Sequence, residues 1–428
     1  MRWLGFASTI ALAVWLPAVA AAQATAPPDS ELVRRIDALA KEIADLKLGA
    51  AGGSGAQGLE SHYGFGPAAS KVYAAGTGVS IGGYGEMLAS GEADGGPRSI
   101  DFVRQILYVG YKFDDHLIFN SEIEFEHAST ELHGSVSTEF AYLDALVRPA
   151  FNVRAGLVLV PMGFVNELHE PPVFLGARRP ETERHIIPST WRANGIGIFG
   201  APAAGWSYRA YVLESLRSVG GSGENAGYDA AGLRDGRQNG SEALLEDVAG
   251  TARAEYASRG LAAGASVFYG PTAQGARTPG GTAIDATTAI WEGHAQLHRS
   301  GLRLRGLVAG AQVDDVAGVN EIRGFTGDQS VGESLLGWYV EAGYELWSRL
   351  HPDSRFELVP YARYEALDSQ RTVPAGYARS GETNRTLFTA GAAFYPHAQV
   401  VVKADYEWNS NDADTGVDRW NAGVGFLF

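Results

Sequence analysis

The chain has 428 residues, a formal net charge of −15 and no cysteine, so neither disulfides nor thiolate metal sites can hold it together. The acidic balance argues against nucleic acid, which requires clustered basic residues. With 55 Gly, 9 Trp, 18 Tyr, 18 Phe, only 3 Met and no late apolar run long enough for a membrane helix, the composition fits neither a soluble protein of this size nor a helical membrane protein, and leaves a closed barrel, the only other fold that satisfies its backbone in lipid.

At the N-terminus, Arg2 precedes an apolar run from Ile10 to Ala20 and the small-residue stretch Ala20-Ala21-Ala22-Gln23-Ala24. This predicts a secretory signal peptide over 1–24, because the apolar core is too short to cross about 30 Å of hydrocarbon and a cleavage pattern follows it. Leu32, Ile36, Leu39, Ile43 and Leu46 then recur at alternating four- and three-residue spacing, which predicts a periplasmic coiled-coil helix over 25–48. Two heptads are marginal alone, and the narrow stripe favours self-association over packing against the barrel. The Ala/Gly/Ser stretch from Gly49 to Gly58 predicts a flexible linker over 49–78.

From Val79 the period becomes two, and the rest of the chain, 79–428, is expected to form one outer-membrane β-barrel. Phe151, Val153, Ala155, Leu157 and Leu159 alternate with Asn152, Arg154 and Gly156; Leu302, Leu304, Gly306 and Val308 alternate with Arg303 and Arg305. About sixteen such segments begin near residues 79, 99, 116, 134, 151, 192, 204, 244, 260, 285, 301, 333, 355, 384, 397 and 417, an all-β antiparallel pattern. Very short connections, such as Asp114-Asp115 and Ser258-Arg259-Gly260, alternate with mostly longer Gly/Asp/Asn-rich ones, as periplasmic turns and outer loops do. A soluble β-sandwich also alternates, but it would have to bury these polar faces in a dry core.

The alternation assigns Leu117, Phe119, Ile123, Phe125, Trp338, Val340, Tyr344, Val402 and Tyr406 to lipid, and Glu122, Glu124, Glu126, Glu341, Glu345, Lys403 and Asp405 to the lumen. Arg154, Arg303, Arg305 and Arg363 join the expected pore lining. The third long connection, about 161–191, is stiffened by Pro171-Pro172 and carries Glu167, His169, Glu170, Arg178, Arg179 and Arg184. A loop this long and charged, folded into a barrel wide enough to hold water, would narrow it and act as an electrostatic filter. A basic strip of Arg178, Arg179, Arg184, Arg303 and Arg305 is expected opposite the row Glu122/Glu124/Glu126, with mutual pairing of these charges as the plain structural alternative.

Several segments look like the phosphate-selective porin O/P-like superfamily: Gly82-Gly83-Tyr84-Gly85-Glu86, Glu122-Ile123-Glu124-Phe125-Glu126-His127, Ala155-Gly156-Leu157 to Pro161-Met162-Gly163, Asn166-Glu167-Leu168-His169-Glu170-Pro171-Pro172 and Ile187-Pro188-Ser189-Thr190-Trp191. The resemblance covers most of the barrel and is strongest before residue 215. It implies a sixteen-stranded, trimeric porin channel whose third loop enters the lumen. The terminal run Trp420 to Phe428 likewise resembles the signature read by the barrel-assembly machinery, with Phe428 as the final anchor. Phosphate selectivity is not carried over, because the expected lining mixes arginines with as many acids. Outer-membrane lipid and lipopolysaccharide are the expected surroundings, and no cofactor or metal is expected.

The pattern leaves two rival functions. A barrel-embedded hydrolase would need a Ser/His/acid constellation, and none can be placed by spacing; His294 and His298 face one way on a strand but stand about 13 Å apart, too far to share a metal. A surface adhesin would use the long polar loops near Ser218–Ser241 and Asp314–Val331, which carry no EF-hand-type calcium spacing.

Overall fold

The computed structural model describes residues 61–131, 133–221 and 226–428; the expected signal peptide and coiled coil lie outside them. Sixteen strands follow one another: β1 (Gly78–Glu92), β2 (Arg98–Lys112), β3 (Leu117–Glu126), β4 (Val136–Arg148), β5 (Phe151–Leu159), β6 (Arg192–Gly200), β7 (Trp206–Glu214) and β8 (Val248–Ser258). The second half comprises β9 (Leu261–Pro271), β10 (Thr287–Arg299), β11 (Leu302–Val313), β12 (Ser334–Tyr344), β13 (Glu357–Thr372), β14 (Asn384–His397), β15 (Val400–Asn411) and β16 (Arg419–Leu427). Each strand pairs antiparallel with its sequence neighbours, and β1 pairs with β16, so the sheet closes on itself. At the seam the backbone N–H of Phe428 donates to Gly83 O at 2.9 Å and Gly83 N–H donates to Phe428 O at 3.0 Å. Strand starts fall within a few residues of those expected from the alternation, the widest gap being β8 at Val248 rather than 244.

Period two is visible in burial. Along β8, Ala249, Thr251, Arg253, Glu255 and Ala257 are buried while Val248, Gly250, Ala252, Ala254 and Tyr256 are exposed. The expected faces hold in the same way: Leu117, Phe125, Trp338, Val340, Tyr344 and Val402 are exposed, and Glu122, Glu124, Glu341, Lys403 and Asp405 are buried. An outer surface of apolar side chains around a charged interior is the reverse of a soluble protein and suits a lipid surround. This is a barrel of the outer-membrane type.

The short turns explain the tight hairpins. Arg259 and Gly260 (φ 46° and 85°) and Ser300 and Gly301 (φ 51° and 84°) both take positive φ at two successive residues, the two-residue turn that matches strand twist.

One expectation is corrected. Residues 49–78 read as a flexible linker, yet the described part, 61–77, is packed inside the barrel and includes a helical turn, α1 (Lys71–Ala74). Phe65, Ala68, Ala69 and Val72 are buried there, and Phe65 stacks on Tyr142 at 5.4 Å. Small residues suit a chain that must lie close against a wall as well as they suit a flexible chain, and composition does not separate the two.

Candidate pore constriction

The connection between β5 and β6, residues 160–191, turns into the lumen (loop 3 below). Its neck is closed by one side chain: Asn166 Nδ2 donates to Val160 O (2.7 Å) and Trp191 O (2.9 Å), and Asn166 Oδ1 accepts from Trp191 N at 2.6 Å. Inside the neck, backbone amides buried away from water need acceptors. The Glu183 carboxylate, on the short helix α2 (Glu181–His185), supplies them, accepting from Phe164 N (2.7 Å), Val165 N (2.8 Å) and the Tyr339 hydroxyl of β12 (2.6 Å).

Beyond the neck the loop crosses the barrel. Glu167 takes a hydrogen bond from Arg209 of β7 at 2.8 Å, and His169 meets Glu122 of β3 at 3.3 Å. Four residues later Val173 O accepts from Arg305 of β11, eight strands from β3 and so on the far wall. The Lys403 ammonium of β15 sits 3.6 Å from the Phe174 ring centroid and donates to Gly176 O, while Asp405 accepts from Ala177 N at 2.7 Å. Arg363 donates to Arg178 O, and Glu365 accepts from the amides of Glu181 and Thr182. Arg385 of β14 closes on Glu181 at 3.1 Å, beside His185 at 2.8 Å. The barrel's charged interior is therefore used largely to hold the loop's backbone. Glu365, Asp405 and Lys403 each serve a main-chain group.

The residues singled out from the sequence divide into two sets. Glu167, His169, Glu170, Arg154, Glu341 and Arg363 are buried and partnered, Arg154 with Asp144 through two contacts of 2.7 and 2.8 Å, and Arg363 with Glu341 at 3.5 Å. Glu126 stands at the upper rim, accepting from Ser135. Arg178 and Arg179 are partly exposed and Arg184 is exposed, so these three border open space. Arg179 lies within electrostatic reach of Arg104, Glu86 and Glu124, and its buried Nη2 has no hydrogen-bond partner.

The expected single basic strip is corrected. Arg303 bonds Glu357 at 2.6 Å, and Arg305 lies over the Phe164 ring at 4.7 Å, on the periplasmic half of β11. They flank a water-sized cavity of about 30 Å³ bordered by Phe174, Gln296 and His298. Arg179 and Arg184 belong to a second level, with Arg234 and Arg237 from the outer connection 215–247. Burial, followed by the neighbouring Arg237, Arg184 and Arg179, draws the Arg234 guanidinium below its ordinary pKa, the mark of crowded positive charge. Arg179 also lies within electrostatic reach of Glu124, a member of the acidic row itself. The strip divides because loop 3 changes depth between Val173 and Arg179, which strand spacing cannot report.

The sequence does not single out Asn166 or Glu183 as structural anchors, and it presents 61–77 as part of a linker. Asn166 and Glu183 carry a usable signal, since a buried long loop must find acceptors and donors at its base. On β9 and β10, Ser266 and His294 both bond Glu292, so the carboxylate stands between serine and histidine, and the histidine is not placed to take the serine's proton.

The closed sixteen-strand wall and inward third loop define a porin-type outer-membrane barrel. The chain belongs to one family with an "uncharacterized protein" of Aquifex aeolicus (strain VF5), to which it is 37% identical over 382 residues, covering 87% of this chain and 85% of that protein. No family model matches the chain. Among solved structures, the Salmonella typhi OmpF complex with daunomycin is similar at 14% identity and a TM-score of 0.50, covering 82% of this chain and 97% of that one. The trimer form of in-vitro folded OmpT of Vibrio cholerae gives 12% identity, a TM-score of 0.49, and 82% and 100% coverage. At such identities the OmpF likeness is one of fold.

Proposed function

We propose that the protein is an outer-membrane porin, a passive or weakly selective diffusion channel for small hydrophilic solutes or ions, with loop 3 as its constriction. The observation that carries this reading is the crossing of the lumen by a loop whose buried members are tied to opposite walls while Arg178, Arg179 and Arg184 border open space. A loop that only covered the mouth would not need Glu365, Asp405 and Lys403 as internal supports. The partly exposed arginines and the neighbouring acids Glu86 and Glu124 would set a local field acting on charged solutes, without the dense basic lining of a strict anion channel. The likeness to phosphate-selective porins is read as one of architecture, in which Glu122, Glu124, Glu126, Arg154, Arg303, Arg305, Glu341, Arg363, Lys403 and Asp405 line the inner wall chiefly as supports and as the charge behind loop 3, and the protein is a channel and not an enzyme.

The same reading includes a homotrimer in outer-membrane lipid, assembled through a C-terminal signal ending in Phe428. Exposed Tyr and Trp residues, which prefer membrane interfaces, lie on β7–β15 at Trp206, Tyr256, Tyr269, Trp291, Trp338, Tyr344, Tyr364 and Trp408. On β1–β6, only Tyr111 among the described residues is exposed in this way, which supports that wall as the one facing neighbouring copies.

The experiment is reconstitution of the folded protein in a planar bilayer, with single-channel current recorded in a salt gradient, with and without phosphate. Stepwise conductance supports the porin, and its reversal potential gives the ion preference. A correctly folded barrel that never conducts removes the channel reading in favour of a surface adhesin.

A further inference from the structure

We infer that residues 61–77 form a resident plug, which closes the β1–β7 side of the lumen beneath loop 3 and lets solute through that side only on leaving its seat. This rests on the channel reading above.

The seat is shaped from both sides. On the wall, a Cβ at Gly110 would stand 2.6 Å from Val72 Cγ2, and one at Gly82 would stand 2.7 Å from Ala68 O. Neither approach tolerates a side chain, so the wall is bare where the segment lies. On the segment, a Cβ at Gly66 would stand 2.5 Å from the Glu170 carboxylate, and one at Gly64, where φ is +100°, would stand 2.8 Å from Glu167 Oε1. Both acids belong to loop 3, so the plug fills the gap between wall and loop.

The fastenings are specific. Glu170 Oε1 accepts from the amides of Ala68 (3.1 Å) and Ala69 (3.2 Å), and Asn120 Nδ2 donates to Ala69 O at 2.9 Å. Tyr73 donates its hydroxyl proton to Asp144 at 2.8 Å and accepts from Arg154 Nη2 at 3.1 Å, while the Arg154 guanidinium lies 4.6 Å from the Phe65 ring centroid.

None of these contacts is a strand ladder. The segment can therefore depart without unpairing any strand of the barrel. A joint is also present: Gly76 and Gly78 flank Thr77 at the start of β1, Gly78 has φ +120°, and a Cβ at either glycine would meet nothing within 4 Å. Filler that served stability alone would need neither an uncrowded glycine pair at its root nor glycines facing its fastenings.

The test uses the full-length chain in planar bilayers with potassium chloride on both sides. Two variants open the seat: deletion of 61–76, and Gly110→Leu, which leaves the segment intact and displaces Val72; heat-modifiable gel mobility establishes that each barrel is folded. The expected result is a single-channel conductance raised about twofold or more by either opening variant. Opening variants that conduct like wild type overturn the plug and leave the channel reading standing. Silence of wild type and variants alike overturns the channel reading and the plug with it.

Discussion

Loop 3 and the segment 61–77 both occupy the barrel, and they do so by opposite chemistry. Loop 3 brings proline and nine charged or imidazole side chains into the lumen and is met by Glu365, Asp405, Lys403, Arg305 and Arg209 from the wall. The segment brings glycine, alanine and aromatic rings, and is held mainly through its own backbone by Glu170 and Asn120. A charged insert is fastened by partners that each carry a desolvation cost, so losing one partner is expensive; a bare insert is fastened by closeness, so adding one atom to the wall is expensive.

The largest effect should come at the buried ion pair of the wall on which the bare segment rests. Asp144→Ala strands the fully buried Arg154 guanidinium and frees Tyr73, and it should cost about 3–5 kcal/mol in urea unfolding of the detergent-folded barrel. The double variant Asp144→Ala with Arg154→Met should recover most of that loss; if the double is as weak as the single, the pair is not the anchor described here. Next comes Glu183→Ala, which leaves Phe164 N, Val165 N and the Tyr339 hydroxyl without their acceptor. Loop 3 should loosen by about 2–3 kcal/mol, read as a roughly 30- to 160-fold faster tryptic cleavage after Arg178 or Arg184 with the barrel itself intact. Cleavage at the wild-type rate would mean that the wall contacts alone hold the loop. Smallest in energy is Arg178→Ala with Arg179→Ala: global stability should move by no more than about 1 kcal/mol, while the reversal potential in a salt gradient shifts toward cations. An unchanged reversal potential removes both residues from the filter.

How much of this was legible in the sequence follows from the same contrast. The strands read well because inward and outward environments differ so strongly that Glu122/Ile123/Glu124/Phe125 can have only one sense of alternation. Loop 3 read as an insert because thirty residues between two strands with so many charges have no other economical explanation. Its depth did not: Arg303, Arg305 and Arg179 were grouped by charge, whereas the loop passes Arg305 at Val173 and reaches the upper arginines six residues later. The segment 61–77 read as a flexible linker, because Gly64, Gly66, Ala68 and Ala69 have the composition of a tether and their role depends on Gly82 and Gly110 across the gap. A sequence records what a residue has more openly than what it makes room for.

The Asn166 clasp has a consequence for how such a barrel can change over generations. With both ends of loop 3 buttoned together by one amide, the two strands it joins receive the same pair of chain ends whatever the loop encloses. The stretch around 170–180 is thereby insulated from the register of β5 and β6, and its content can be lengthened, recharged or exchanged as cargo demands shift, while the cylinder around it is inherited unaltered.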